Sequence, residues 1–146
     1  GLFLSAQPGK ARDRIAEMID VALEKPGEYH FIRSVDAEGI RVGETVYASS
    51  IILTPDQVME NWEPADFASL THRHLDLLFE LRPEVALLGT GPTQEFLSRE
   101  LAIRVIESGI GLEVMTTDAA CRTFNILASD GRKVVAGLLP MSPGNS

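Results

Sequence analysis

Residues 85–139 alternate short apolar runs with amphipathic segments, and that alternation leaves few folds open. Val85-Ala86-Leu87-Leu88 is unbroken apolar and is followed by Gly89-Thr90-Gly91-Pro92. Such a run suits a strand buried on both faces. Residues 93–107 then set Leu97, Leu101 and Val105 along one helical stripe, which Ser108-Gly109 closes. Residues 112–115 read as the next strand. Thr117-Asp118 caps a helix running to about Ala128, Asp130-Gly131 turns the chain, and residues 133–139 form a last apolar strand. Strand–helix–strand–helix–strand requires right-handed crossovers and at least a partly parallel sheet.

The first half reads differently. Residues 9–25 form an amphipathic helix, with Ile15, Met18, Ile19, Ala22 and Leu23 at spacings of three and four, and Pro26-Gly27 stops it. Residues 29–35, 40–42 and 45–53 are β-rich and separated by Ala37-Glu38-Gly39 and Gly43-Glu44, which predicts a three-stranded meander. Thr54-Pro55-Asp56 predicts a helix start with Thr54 as N-cap, running to about Asn61. A second helix is predicted over 66–82, with Leu70, His74, Leu77, Leu78 and Leu81 as its buried stripe. Trp62 between them reads as a loop anchor or an exposed contact residue. The expected division is an N-terminal extension over 1–28, a single domain over 29–139 and a loose tail over 140–146.

A chain of 146 residues is one domain. It buries about two thirds of its surface on folding, so it needs no disulfide or metal staple. The net charge is −8, and residues 29–115 carry all of it in net terms. No block is basic enough to follow a phosphate backbone or an anionic membrane, so neither nucleic acid nor membrane insertion is expected. The single cysteine, Cys121, excludes a disulfide framework and Cys-based zinc spacing. Gly1-Leu2-Phe3-Leu4 is too short for a signal core, and the segment is not Arg-rich as a transit peptide would be. The expected compartment is the cytoplasm, and the expected state is monomer or homodimer.

Few residues suggest chemistry. Gly89-Thr90-Gly91 follows a strand and precedes a helix, where backbone N–H groups can approach an anion. The dinucleotide pattern fails because position 94 is Gln, and no Lys-Ser/Thr pair marks a phosphate loop. Cys121 lies one turn into the helix from Thr117, beside Arg122, a setting that can activate a thiol. The helical wheel instead puts it on an apolar arc with Ala120, Phe124, Leu127 and Ala128, in the core. Arg122, Asn125 and Ser129 fall on the other side, to bind an anion or cap a neighbouring loop. His72 and His74 point to opposite helix faces and cannot share a metal, and His74 reads as a hydrogen-bonded core histidine. No metal or cofactor is implied.

Three stretches carry a resemblance when taken in order. They are Val85-Ala86-Leu87-Leu88-Gly89-Thr90-Gly91, Gly109-Ile110-Gly111-Leu112-Glu113-Val114-Met115-Thr116-Thr117 and Ala119-Ala120-Cys121-Arg122-Thr123-Phe124-Asn125-Ile126-Leu127. Asp130-Gly131-Arg132-Lys133-Val134-Val135-Ala136 follows the last of them. Over residues 29–139 the chain resembles the family catalogued as domain of unknown function 498, with the Mth938-like fold. That family includes the mitochondrial assembly factor three of NADH:ubiquinone oxidoreductase (complex I). The resemblance implies an α/β fold of three layers: a central mixed sheet, helices on one face, and a β-meander plus a helix on the other. It implies no catalytic residues, and it implies action through protein contacts, as an assembly factor or adaptor. A bacterial cytoplasmic member is the default reading. The alternative is a domain that binds a small anion or metabolite, and it could be an enzyme. Its site would join Gly89, Thr90 and Gly91 to Thr116 and Thr117, with Arg122 as counter-ion.

Overall fold

The computed structural model describes residues 31–142. The N-terminal helix expected over 9–25 and the last tail residues lie outside them. Strands β1 (Ile32–Asp36), β2 (Gly39–Val42) and β3 (Thr45–Tyr47) form an antiparallel meander. Strands β4 (Ile51–Thr54), β5 (Gln57–Met59), β6 (Val85–Gly89), β7 (Leu112–Met115) and β8 (Val134–Leu138) form the central sheet, in the order β5-β4-β8-β6-β7. The β8-β6-β7 part is parallel and the β5-β4-β8 part antiparallel, so the sheet is mixed. Among the described residues three α-helices accompany the sheets: α1 (His72–Glu80), α2 (Arg99–Ser108) and α3 (Thr117–Ser129).

Period-two alternation in the central strands sorts the core into two layers. Ile51, Leu53, Leu87, Val134, Ala136 and Leu138 face α3 and the meander, where they meet Cys121, Phe124, Ile32 and Ile40. Ile52, Ala86, Leu88, Val135 and Leu139 face α1 and α2, where they meet Trp62, Leu75, Leu78 and Leu101. The expected three layers are therefore present. From β6 the chain crosses through α2 to β7, then back through α3 past β6 to β8. Direction and face reverse together, which is what two crossovers of one hand require.

The second half follows the sequence reading closely, and the first half corrects it. Thr54-Pro55-Asp56 starts no helix. Thr54 Oγ1 does accept from the Asp56 and Gln57 N–H groups, at 3.3 and 2.9 Å, as an N-cap would. It does so within the β4–β5 hairpin, where Leu53 pairs with Val58 and Ile52 with Met59. Pro at the second position of a tight turn has the same backbone angle as Pro in the first turn of a helix.

The strand expected over 45–53 is two strands, split at Ala48-Ser49-Ser50, with one half in each sheet. The helix expected over 66–82 is a 3-10 turn (Phe67–Ser69) capped by Asp66, followed by α1. Leu75, Leu78 and Phe79 form its buried stripe, while Leu77 is 46% exposed. The helix expected from Thr93 starts only at Arg99, because Ser98 Oγ accepts from the Leu101 N–H at 3.2 Å. Trp62 is the buried loop anchor. Its indole lies over Gly137, and Nε1 donates to the His74 carbonyl at 3.1 Å.

Candidate functional site

Parallel neighbours β6 and β7 end side by side, with Gly89 opposite Met115. After them the chain leaves to opposite faces, toward α2 and toward α3. A crevice at such a point is where open α/β sheets bind ligands. The topology therefore brings Gly89, Thr90 and Gly91 beside Thr116 and Thr117, as the sequence suggests.

The junction is filled from within. Thr117 Oγ1 accepts from the Gly91 N–H at 2.8 Å and donates to the Leu139 carbonyl at 2.6 Å. Its own N–H donates to the Gly91 carbonyl at 3.0 Å. The Leu139 N–H donates to the Gly89 carbonyl at 3.0 Å, and the Thr90 N–H to the Met115 carbonyl at 2.8 Å. Thr90 Oγ1 donates to the Thr93 carbonyl at 2.6 Å. Thr117 is fully buried, so a ligand could reach its hydroxyl only by opening this clasp.

Glycine at 89 is required by this closeness: a Cβ there would lie 2.8 Å from both Cα and Oγ1 of Thr117. Gly91 has φ +101°, the left-handed region that glycine tolerates. Thr116 caps α3, its Oγ1 accepting from the Ala119 N–H at 3.3 Å. Sequence reasoning missed Leu139, whose carbonyl completes the clasp. The apolar run at the chain's end marked it as strand and carried no sign of that contact.

Arg122 does not join this group. It is exposed and paired with Asp118 one turn earlier. Five residues past Thr117, it points about 140° away around the helix. Cys121 is buried in the core, as the wheel indicates. Burial pushes its thiol up to about 12; nearby Asp118 adds to the rise and Arg122 opposes it. A thiol held neutral in this way is a poor nucleophile. Among the described residues no group of three or more His, Cys, Asp or Glu side chains could hold a metal ion.

At the opposite end of the sheet is an open cleft of about 610 Å³, lined by Asp76, Glu80, Arg82, Pro83, Arg104 and Glu107. The Arg104 guanidinium grips Asp76 there with two bonds of 2.9 Å. That fork holds the Asp76 carboxyl below its usual range, against the opposing effect of burial.

The surface outside these hollows has a different character. Phe96 is 83% exposed, and on α2 Ile106 is 78% and Ile103 44% exposed. The opposite side of α2 buries Leu101 against the sheet. The helix is thus apolar on two faces, and only one is covered.

The sequence profile of the protein family of unknown function DUF498/DUF598 matches residues 32–139. The chain belongs to this family. Among curated relatives, the 13 kDa major membrane protein of Francisella tularensis is 33% identical over 96 residues. That match covers 65% of this chain and 76% of the relative. An NADH dehydrogenase [ubiquinone] 1 alpha subcomplex assembly factor 3 from Danio rerio is 33% identical over 117 residues, 78% of this chain. The chain spans 66% of that protein's length. Among solved structures, a Xanthomonas campestris protein is 39% identical with a TM-score of 0.68, over 75% of this chain and 83% of its own. A Bordetella pertussis protein described as a Mth938-like domain is 29% identical with a TM-score of 0.67, over 78% of this chain and 87% of its own. The mixed α/β architecture is the Mth938-like fold. Among the described residues no helix is long and apolar enough to cross a membrane.

Proposed function

We propose that this DUF498 protein works through its surface, as an assembly factor or adaptor for other proteins, in the cytoplasm. The observation that carries this reading is the uncovered face of α2, where Ile103 and Ile106, with Phe96 just ahead of the helix, stand in water. Side chains of that size, clustered and exposed, are characteristic of contact surfaces. The kinship with proteins named as assembly factors supports the same reading. So does the self-contained clasp at Thr117, whose buried hydroxyl is already bonded on both sides. Affinity capture from native lysate under gentle conditions tests it. A stable protein partner that is lost on Ile106→Glu is expected. Turnover of a metabolite, with no partner across repeated captures, would contradict it.

A further inference from the structure

The uncovered face of α2 has a charge pattern as well as an apolar one. Arg99 opens the helix and Glu107 lies in its last turn, two residues before the Gly109 C-cap. Both charges oppose the helix dipole, which favours acids at the start and bases at the end. Among the described residues no side-chain ion pair engages Arg99, and Glu107 has a 3.6 Å contact with Arg104. On the helical wheel, Arg99, Ile103 and Glu107 follow one line, four residues apart, with Ala102 and Ile106 beside it.

From this pattern, and resting on the surface reading above, we infer that the uncovered α2 face pairs with the same face of a second copy of this chain. Two copies of α2 laid antiparallel about a twofold axis at Ile103 set each Arg99 against the other copy's Glu107. The surface is self-complementary, as an isologous contact requires. The arrangement also opposes the two helix dipoles and covers Ile103 with its own counterpart. A parallel pairing would put Arg99 on Arg99 and Glu107 on Glu107, which like-charge repulsion disfavours.

A helix of ten residues is about 15 Å long. The contact is therefore well below the roughly 800 Å² per partner of a standard interface. The dimer is accordingly weak and reversible, with self-association at micromolar concentrations and above.

Sedimentation equilibrium of the full chain from low to high micromolar concentration tests this. The wild type should rise from 15.9 kDa toward twice that mass. Ile103→Glu should stay monomeric at every concentration, with an unchanged circular dichroism spectrum. Arg99→Glu and Glu107→Arg should each weaken association several-fold, and the double swap should restore it. A wild type that remains at 15.9 kDa, association untouched by Ile103→Glu, or a double swap that fails to restore would each overturn the inference. If the wild type is monomeric while Ile106→Glu still abolishes capture of another protein, the pairing falls and the surface reading stands.

Discussion

The Asn125 carboxamide bonds both backbone polar groups of Ile32: Oδ1 accepts from the N–H at 2.9 Å and Nδ2 donates to the carbonyl at 2.9 Å. This is the exchange that a neighbouring strand would make, supplied by one side chain of α3. It fastens β1, and with it the meander, to the helix that lies on the central sheet. The stretch around Cys121 through which the chain resembles its family therefore divides its work. Cys121 and Phe124 fill the core and Asn125 joins the layers. Asn125→Ala leaves two partly buried backbone groups without a partner and should destabilise the fold by about 1–3 kcal/mol. Chemical denaturation measures the loss, and amide exchange at Ile32 should accelerate more than exchange in β6.

Thr117 should be the more sensitive position. Thr117→Val keeps the shape but strands the Gly91 N–H and the Leu139 carbonyl in a fully buried site, at a cost of about 2–4 kcal/mol. Thr117→Ser keeps the hydroxyl and should cost about 1 kcal/mol, the value of one buried methyl group. Gly89→Ala drives a Cβ against the α3 backbone and should cost about 1–3 kcal/mol or more. Thermal denaturation of the three variants should rank serine mildest. A valine variant as stable as the wild type would mean that the hydroxyl bonds contribute nothing.

Cys121 should resist alkylation in the native protein at pH 8 and react once the chain is unfolded. Its folded value of about 12 lies above the ordinary 9.0, so the folded state binds the proton more tightly. The contribution is fully present below pH 9.0 and is lost as pH rises toward about 12. Over that window stability should fall by up to about 1.4 kcal/mol per pH unit from this group. Subtracting the alkaline profile of Cys121→Ala isolates the effect, and identical slopes would disprove it.

The Asp76–Arg104 fork should leave its mark in acid. The folded carboxyl titrates below the ordinary 3.8, so its contribution is present above that value and disappears as pH falls through the depressed one. Asp76→Asn should flatten the acid limb of the stability profile below about pH 4. Both side chains are about a third exposed, so the difference should shrink in high salt.

The parts of the fold that were legible share a cause. β6, α3 and β8 are marked by apolar runs or stripes between strong punctuation, and their local and tertiary preferences agree. Thr54-Pro55-Asp56 misled because a turn and a helix start use the same threonine–N–H bonds; what decides is the pairing of Val58 and Met59 with β4. At α2 the stripe of Leu97, Leu101 and Val105 marks the side that packs on the sheet, while Ile103 and Ile106 give the helix a second apolar face that the stripe does not announce. At the junction, the meeting of Gly89 and Thr117 follows from the parallel order of β6 and β7. The bond from Thr117 to Leu139 does not, because it depends on where β8 ends in space. Arg122 stood near the motif in sequence and was separated from it by the turn of the helix.

Affinity capture from native lysate on a single tagged copy tests the claim that the surface carries the function. Wild type, Ile106→Glu and Arg122→Ala would be compared by quantitative mass spectrometry. Arg122→Ala should recover the wild-type set of partner proteins, and Ile106→Glu should lose it. Recovery unaffected by Ile106→Glu, with loss confined to Arg122→Ala, would contradict it and favour a ligand site at the start of α3.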